Sequence, residues 1–413
     1  MDPSFFDKYN VKQFYKSMDK LIGITVGLKS IDESLWVNGI KLNAAMLYLL
    51  INRIDGYKAI LVDTSGNIKD LSKIEFWDTS KFITKPFSKV SKKLDLLIQL
   101  GTTIDDESMI NLRKNGFNAK VIKYQCGNNY VLEMERIIFG ESNSEGQLAW
   151  TSQHDETWYV PQQHKHNHDY YSIISGKKAI PVPFVWDPYF IDLQKSEIES
   201  TSKSKVHYQP GKNLKKIISF EPNHNVVKYS MPLILLAEHA IKQGADFETY
   251  KVCSGKKMFS HKSFLRAISR LDIYKKKKIQ YLGRLPITRV LTTEADIVLS
   301  HQWDNPLNYL YLDVMHFGYP LIHNADMVQD AGYFYKDFNL KDGGDLLKEV
   351  IENHDSRIEE YRAKNEPVLN RYKSDNPVII ETYKKLLDNL FIPEKYKMSY
   401  EYDWKTNTYK HEN

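Results

Sequence analysis

Residues 295–335 read ADIVLSHQWDNPLNYLYLDVMHFGYPLIHNADMVQDAGYFY, and this stretch decides the fold. Residues 296–300 are a short apolar run ending in Ser300, the pattern of a buried strand. A polar loop follows. A helix is expected over 306–317, with Pro306 in its first turn and Gly318 just past its end. Residues 320–323 are the next strand. Strand, loop, helix and strand in succession make a βαβ unit, and such units build parallel sheets. Ligands of these sheets gather at the carboxyl ends of the strands. Free N–H groups at a helix start favour anions such as a diphosphate. Asp313, further along the helix, offers two acceptor oxygens that match a pair of ribose hydroxyls.

The same rhythm extends in both directions. Toward the N-terminus, strands are expected at 21–27, 58–62, 94–100, 118–124, 157–161 and 180–185, with helices over 40–51 and from 103. Gln162 to His168 reads as a His-rich loop. Residues 193–215 are rich in Ser and Lys and contain Pro210-Gly211, which marks a linker. Beyond it come a strand at 216–220, a helix over 226–241 kinked at Pro232, strands at 279–282 and 296–300, and helices over 288–294, 344–353 and 376–390. These spans divide the chain into an amphipathic extension (1–20), one Rossmann-like domain (21–192), the linker, a second Rossmann-like domain (216–375), and a helix with a polar, aromatic tail (376–413) that wraps the surface or frays. The expected class is α/β, with two Rossmann-like βαβ domains facing across a cleft.

Composition agrees with this class. The chain has 413 residues, too many for one ordinary core, and 42% apolar with 26% charged residues is the balance of a globular protein. No apolar run reaches the length needed to span a bilayer, and the N-terminus lacks the apolar core of a signal peptide. Cys126 and Cys253 are far apart and form neither a metal-ligand pair nor a disulfide framework. A cytoplasmic location is therefore expected. A net charge of +5 and the basic runs near 203–216 and 275–278 permit contact with phosphates or nucleic acid.

The 295–335 stretch resembles the donor site of GT-B glycosyltransferases. Their usual pattern is a glutamate, a glycine-containing loop, and a second glutamate five residues before Gly-x-Pro. Gly318-Tyr319-Pro320 matches the Gly-x-Pro, Asp313 stands at the ribose-binding glutamate, and Asn305 stands at the first one. Asn308 and Tyr309 occupy the turn whose backbone meets the diphosphate. More closely, the chain is similar to a family of glycosyltransferase-like proteins of bacteria and viruses that is known chiefly as a domain of unknown function. The motifs are Ser34 to Gly39, Trp158 to Pro161 with Gln162 and His164, Pro183 to Pro188, Asn223 to Lys228 and Asn305 to Gly332, covering most of residues 21–350.

The resemblance implies a metal-independent glycosyltransferase with no cofactor, using UDP- or another nucleotide-sugar as donor. In that scheme Asn223, Asn225 and Lys228 contact the donor, and Lys228 neutralises the leaving diphosphate, with Arg284 beside Gly283 as a competitor. On the acceptor side, the loop holding Trp36, Asn38 and Gly39 is small enough to let substrates approach. The glutamate-to-asparagine change at Asn305 removes a charge at the sugar, which leaves the sugar and the stereochemical outcome open. The acceptor is open between a glycan and a hydroxymethylated base in duplex DNA, as in phage DNA modification. An epimerase and a non-catalytic nucleotide-sugar-binding protein are the alternatives.

His154, His164, His166 and His168 invite a metal reading, but no Cys or acidic pair completes a tetrahedral site. His164 and His154, beside the Trp158 strand, are instead candidates for a base or a sugar contact, and Asn305 joins them as a catalytic candidate.

Overall fold

The computed structural model describes residues 19–33, 35, 39–114, 119–140, 153–202, 204–283, 285–393, 397 and 401–410. The expected extension over 1–20 and the loop residues Trp36 and Asn38 lie almost wholly outside them, as does Arg284.

The first sheet has seven strands: β1 (Lys20–Val26), β2 (Tyr57–Asp63), β3 (Thr84–Pro86), β4 (Leu96–Gln99), β5 (Lys120–Gln125), β6 (Glu156–Tyr159) and β7 (Ala179–Pro181), in the order β3-β2-β1-β4-β5-β6-β7. The second has six: β8 (Lys216–Ser219), β9 (Thr249–Val252), β10 (Ile279–Tyr281), β11 (Ile297–Ser300), β12 (Leu321–His323) and β13 (Tyr333–Phe334), in the order β10-β9-β8-β11-β12-β13. Every pairing in both sheets is parallel. The order reverses direction between β1 and β4 in one sheet and between β8 and β11 in the other. These are the points where doubly wound sheets bind ligands. The fold class expected from the sequence is the fold observed.

At the first switch point the chain packs closely. A Cβ on Gly101, just after β4, would sit 2.9 Å from the Thr25 carbonyl and 3.2 Å from Val26 Cα, so only glycine lets this loop lie against β1. Thr25, fully buried, donates its hydroxyl to the Thr102 carbonyl (2.7 Å) and accepts from Leu100 N (3.0 Å).

Several elements differ from their expected form. Gln162 to His168 is not a loop. A single 3-10 turn at Pro161–Gln163 leads into helix α2 (His164–Ser175), whose buried face is Asn167, Tyr171 and Ser175. A face made of polar residues has helical spacing without hydrophobic spacing, so it was invisible to a hydropathy pattern. The 193–215 segment is not a free linker either. Helix α3 (Tyr189–Thr201) covers its start, and Tyr208 ties its end to the second sheet through Phe317 O (2.9 Å) and Asp355 (2.6 Å). Helix α4 (Met231–Lys242) begins at its proline instead of kinking there, because Pro in the first turn forfeits no hydrogen bond. The helix expected over 306–317 is α5 (Tyr309–His316), capped by Asn308. The residue before Pro306 is held out of helical backbone, which delays the start.

Helix α1 (Gly39–Ile51) covers β1 and β2. Helices α6 (Ile358–Tyr372) and α7 (Pro377–Leu390) end the chain's passage. Helix α6 packs on α5 in the second half, and α7 packs back on α1 in the first. The chain therefore crosses between sheets twice, near Trp186 and near Ser374. The two crossings lie side by side. Trp186 N donates to Tyr372 O (2.7 Å) and Ser374 N to Trp186 O (2.8 Å).

The tail forms a small antiparallel hairpin, Tyr402–Asp403 with Thr408–Tyr409. Its anchor is Asn407, fully buried and at φ +58. The Asn407 amide takes Phe184 N (2.8 Å) and gives to Phe184 O (2.9 Å). Among the described residues no helix is long and apolar enough to cross a membrane. Replacing Asn407 by Ala removes both hydrogen bonds and forces a Cβ-bearing residue without a polar side chain into left-handed backbone. Urea denaturation is expected to show a loss of roughly 2–4 kcal/mol for Asn407→Ala, and about 1 kcal/mol less for Asn407→Gly.

Candidate functional site

The two sheets face each other across a cavity of about 790 Å³. Its walls are the carboxyl ends of β4, β5 and β6 on one side and of β8, β9 and β11 on the other, with the start of α1 and one face of α5 (Tyr309, Leu310 and Asp313). That volume lies within the usual range for small-molecule sites. Both cysteines, Cys126 and Cys253, are on its walls, and burial pushes each thiol up to about 12. Neither is a thiolate at neutral pH, so neither is a nucleophile here.

Of the four charged groups lining the cavity, Lys123, Glu221 and Asp313 are buried and Lys228 is half-buried. On the first wall Lys123 is one residue from the centre of β5, and burial brings its ammonium down to about 8. On the second wall Glu221 follows β8 directly. Its carboxylate accepts from Ser300 Oγ (2.6 Å) and Gln302 Nε2 (3.3 Å). Burial raises Glu221 to about 7, against the pull of those donors and of Lys228. Lys228 faces Glu221. Burial lowers its ammonium, and Glu221 opposes that shift. Among the described residues the Lys228 ammonium makes no ion pair or hydrogen bond. Asp313 projects from α5 and accepts the Trp186 indole N–H (2.8 Å). Burial raises its carboxyl to about 7, with Trp186 and His316 pulling it down. Titratable groups shifted this far, gathered in one cleft, are what a binding or catalytic site produces.

Lys228, Asn305, Asn308, Tyr309, Asp313 and Gly39 all line the cavity. Their roles differ from the sequence expectation in three places. Asn308 caps α5, taking Leu310 N on its side chain (3.3 Å) and Tyr311 N on its carbonyl (3.1 Å), so the first amides of the helix are already engaged. Tyr309 bridges to the first half through Asn43 (2.6 Å) and the Val185 carbonyl (3.0 Å). Asn305 is a cross-cleft latch. Its oxygen accepts from Gln163 Nε2 (2.7 Å) and its amide donates to Gln302.

Five other candidates stand outside the cavity lining. Asn223, at φ +57, staples its own loop through Glu221 O, Cys253 O and Ser230 N. Asn225 turns the same loop by accepting from Val227 N and Lys228 N, and so sets where Lys228 points. Gly283 touches the Ser254 backbone rather than the cavity. His154 is at the amino end of β6, away from the carboxyl ends that form the cleft, and is buried against Thr157 (3.0 Å). That position removes it as a catalytic candidate. His164 opens α2, bonds Tyr159 (2.8 Å), and lines a neighbouring bay instead. Trp36, Asn38 and Arg284 fall outside the described residues. Among the described residues no three His, Cys, Asp or Glu side chains converge as metal ligands.

Glu221, Lys123, Gln163 and Gln302 were not singled out from the sequence, whereas Gln162 was, as part of the family motif. A signal existed for two of them. A lysine amid Val-Ile-Lys-Tyr in a buried strand, and a glutamate immediately after a strand end, are both out of place in a core.

Residues 22–387 match the family described as "Protein of unknown function (DUF2827)". The chain belongs to that family. Among solved structures, this DUF2827 protein is similar to a glycosyltransferase from Rickettsia africae (12% identity, TM-score 0.50, 91% of this chain and 99% of that one). It is also similar to sucrose-phosphate synthase from Thermosynechococcus elongatus (10%, 0.51, 90% and 99%). A third is the N-terminal domain of trehalose-6-phosphate phosphatase from Candida albicans (12%, 0.53, 92% and 98%). These likenesses establish the GT-B type fold. A stretch of 99 residues is 24% identical to a beta-glucosidase of Wickerhamomyces anomalus, covering 24% of this chain and 12% of that protein.

The raised Asp313 carboxyl makes stability depend on pH. Its folded value, about 7, exceeds the ordinary 3.8. Between these values the folded state holds a proton that the unfolded state has lost, so stability falls as pH rises through the window. Asp313→Asn mimics the protonated form. In paired melts the variant is expected to gain on the wild type as pH climbs from about 4 to about 7.5, reaching on the order of 2–4 kcal/mol, and to show no gain at the acid end.

Proposed function

We propose that this DUF2827 protein is a glycosyltransferase that binds a nucleotide-sugar across the cleft and transfers its sugar to an acceptor hydroxyl. The observation that carries the reading is Lys228, an ammonium without an ion-pair partner in a cavity at the switch points of both sheets. A diphosphate is an anion that such a cation would hold.

In the transfer, the bond from the anomeric carbon to the diphosphate oxygen breaks, and its electron pair leaves with the diphosphate. The acceptor oxygen forms the new bond to the anomeric carbon and gives up its proton. Lys228 stabilises the charge that develops on the leaving oxygen. With Asn308 capping α5, the lysine supplies most of that stabilisation. Asp313 keeps one oxygen beyond the Trp186 bond, which suits a ribose hydroxyl. Glu221 lies opposite Lys228 and holds its ammonium in the cleft. Nothing in this scheme calls for a metal, since a cationic side chain faces the diphosphate.

The test is a thermal-shift screen of UDP-glucose, UDP-N-acetylglucosamine, GDP-mannose, ADP-glucose and dTDP-glucose. A binding donor at a hundredfold over its Kd adds about 2.7 kcal/mol of stability and raises Tm by several degrees. Lys228→Ala should weaken that donor about ten- to hundredfold while its own Tm stays near the wild-type value. No shift from any donor, or a shift unchanged by Lys228→Ala, overturns the reading. Slow donor hydrolysis by the wild type separates an enzyme from a non-catalytic binder.

A further inference from the structure

Beside the donor cavity, on the far side of the Gln163–Asn305 contact, lies a second bay of about 840 Å³. It is formed by the carboxyl ends of β6, β11, β12 and β13, closed by Arg371 and by the hairpin residues Trp404 and Lys405. The two bays share one wall: Gln162, Gln302 and Asn305 line both. We infer that this second bay holds the acceptor, and that the acceptor is the uncharged sugar end of a glycan. The inference rests on the glycosyltransferase reading for the acceptor's role, but not for the binding of a saccharide.

Three observations point to a sugar. The first is aromatic. Trp303 and Trp404 both line the bay and are half-buried, Trp303 against His166 (5.5 Å) and Trp404 against His164 (4.7 Å). An indole held in place offers a rigid flat face at low entropic cost, and the C–H face of a pyranose is its natural partner.

The second is a pair of carboxylates without cationic partners. Asp304 is paired with Lys165 (2.8 Å) and His166 (3.0 Å), and Asp330 with Arg371. Asp326 and Asp337 make no ion pair among the described residues, and burial together with the charge of Asp337 holds Asp326 above its ordinary value. A free carboxylate accepts two hydrogen bonds from neighbouring hydroxyls.

The third is on the shared wall. Gln162 is 8% exposed, and its amide oxygen has no hydrogen-bond partner. A buried acceptor of this kind is costly unless something donates to it. A sugar hydroxyl at the junction of the bays is placed to do so.

The charge balance favours a glycan over nucleic acid. Four aspartates line the bay against Lys165, Arg371 and Lys405, and two of those cations are already engaged. A phosphodiester backbone binds by pairing with free lysines and arginines, and this surface offers it unpaired carboxylates instead.

The test uses the whole chain and saturation-transfer NMR. The probes are methyl β-D-glucoside, methyl β-D-galactoside, methyl α-D-mannoside and methyl N-acetyl-β-D-glucosaminide at millimolar concentration, with a short duplex carrying 5-hydroxymethylcytosine as comparison. At least one glycoside is expected to bind, and Trp303→Ala should weaken it about tenfold. Asp326→Asn combined with Asp337→Asn, both at exposed positions, should do the same without lowering Tm, so the proposal does not depend on Trp303→Ala folding. The nucleotide-sugar thermal shift should be unchanged in all variants. Absence of glycoside binding, glycoside binding that survives both sets of variants, or preferential binding of the duplex each overturns the proposal. If glycosides bind as described but no nucleotide-sugar does, the saccharide site stands and its role as acceptor site falls with the donor reading.

Discussion

The arrangement of the two halves depends on one knot of hydrogen bonds around Trp186. Its backbone N–H and carbonyl are taken by Tyr372 and Ser374, so the outgoing and returning crossings of the chain are stitched into a single strap. Its indole N–H goes to Asp313, and its ring is fully buried. Two independent connections would allow the sheets to slide as well as rotate. A stitched pair permits rotation about one line and resists translation. The cleft is therefore set by a hinge, and the Asp313 carboxylate is fastened to that hinge. Any change in the angle between the halves is felt at Asp313, and any group bound there bears on the angle.

The second constraint is topological. Both sheets reverse strand order beside their first strand, so each half presents a natural crevice, and facing them makes one site from two. Into that site the chain directs groups that a core would reject: Lys123, Glu221, Lys228 and Asp313. Each is shifted by burial toward its neutral form. Their retention in a region that could be apolar is expensive in stability, and a ligand carrying both charge and hydroxyls recovers that cost where a purely apolar one would not.

Much of this was legible in the sequence. Ten of the thirteen sheet strands read as short apolar runs, because strands covered on both faces contain little else; β3, β9 and β13 did not, since Thr84–Pro86, Thr249–Val252 and Tyr333–Phe334 are too short or too polar to form such a run. Gly318-Tyr319-Pro320 and Asp313 were found because their spacing is rigid: a helix of fixed length must end before the next strand begins. What could not be read was of another kind. Helix α2 buries Asn167, Tyr171 and Ser175, and α6 buries Tyr361, Asn365, Val368 and Tyr372, so their inner faces carry only a weak hydrophobic signal. The tail's place depended on Asn407 reaching Phe184, 223 residues earlier, which no local pattern contains. Glu221 was marked by its place after a strand, but its partners, Ser300 and Gln302, come from another strand's loop and could not be read locally. His154 misled because nearness to a strand in sequence does not say which end of the strand is meant.

The latch at Asn305 has a consequence of its own. Gln163, Asn305 and Gln302 form a ladder of amides joining the halves, and next to it Lys165 pairs with Asp304, which also meets the His166 ring. The clasp thus has two fastenings of different chemistry. Salt screens the ionic one. The amide ladder is indifferent to it. The protein keeps its halves joined across a broad range of ionic conditions while leaving one fastening responsive to them, so the ease of opening is graded by the medium rather than switched by it.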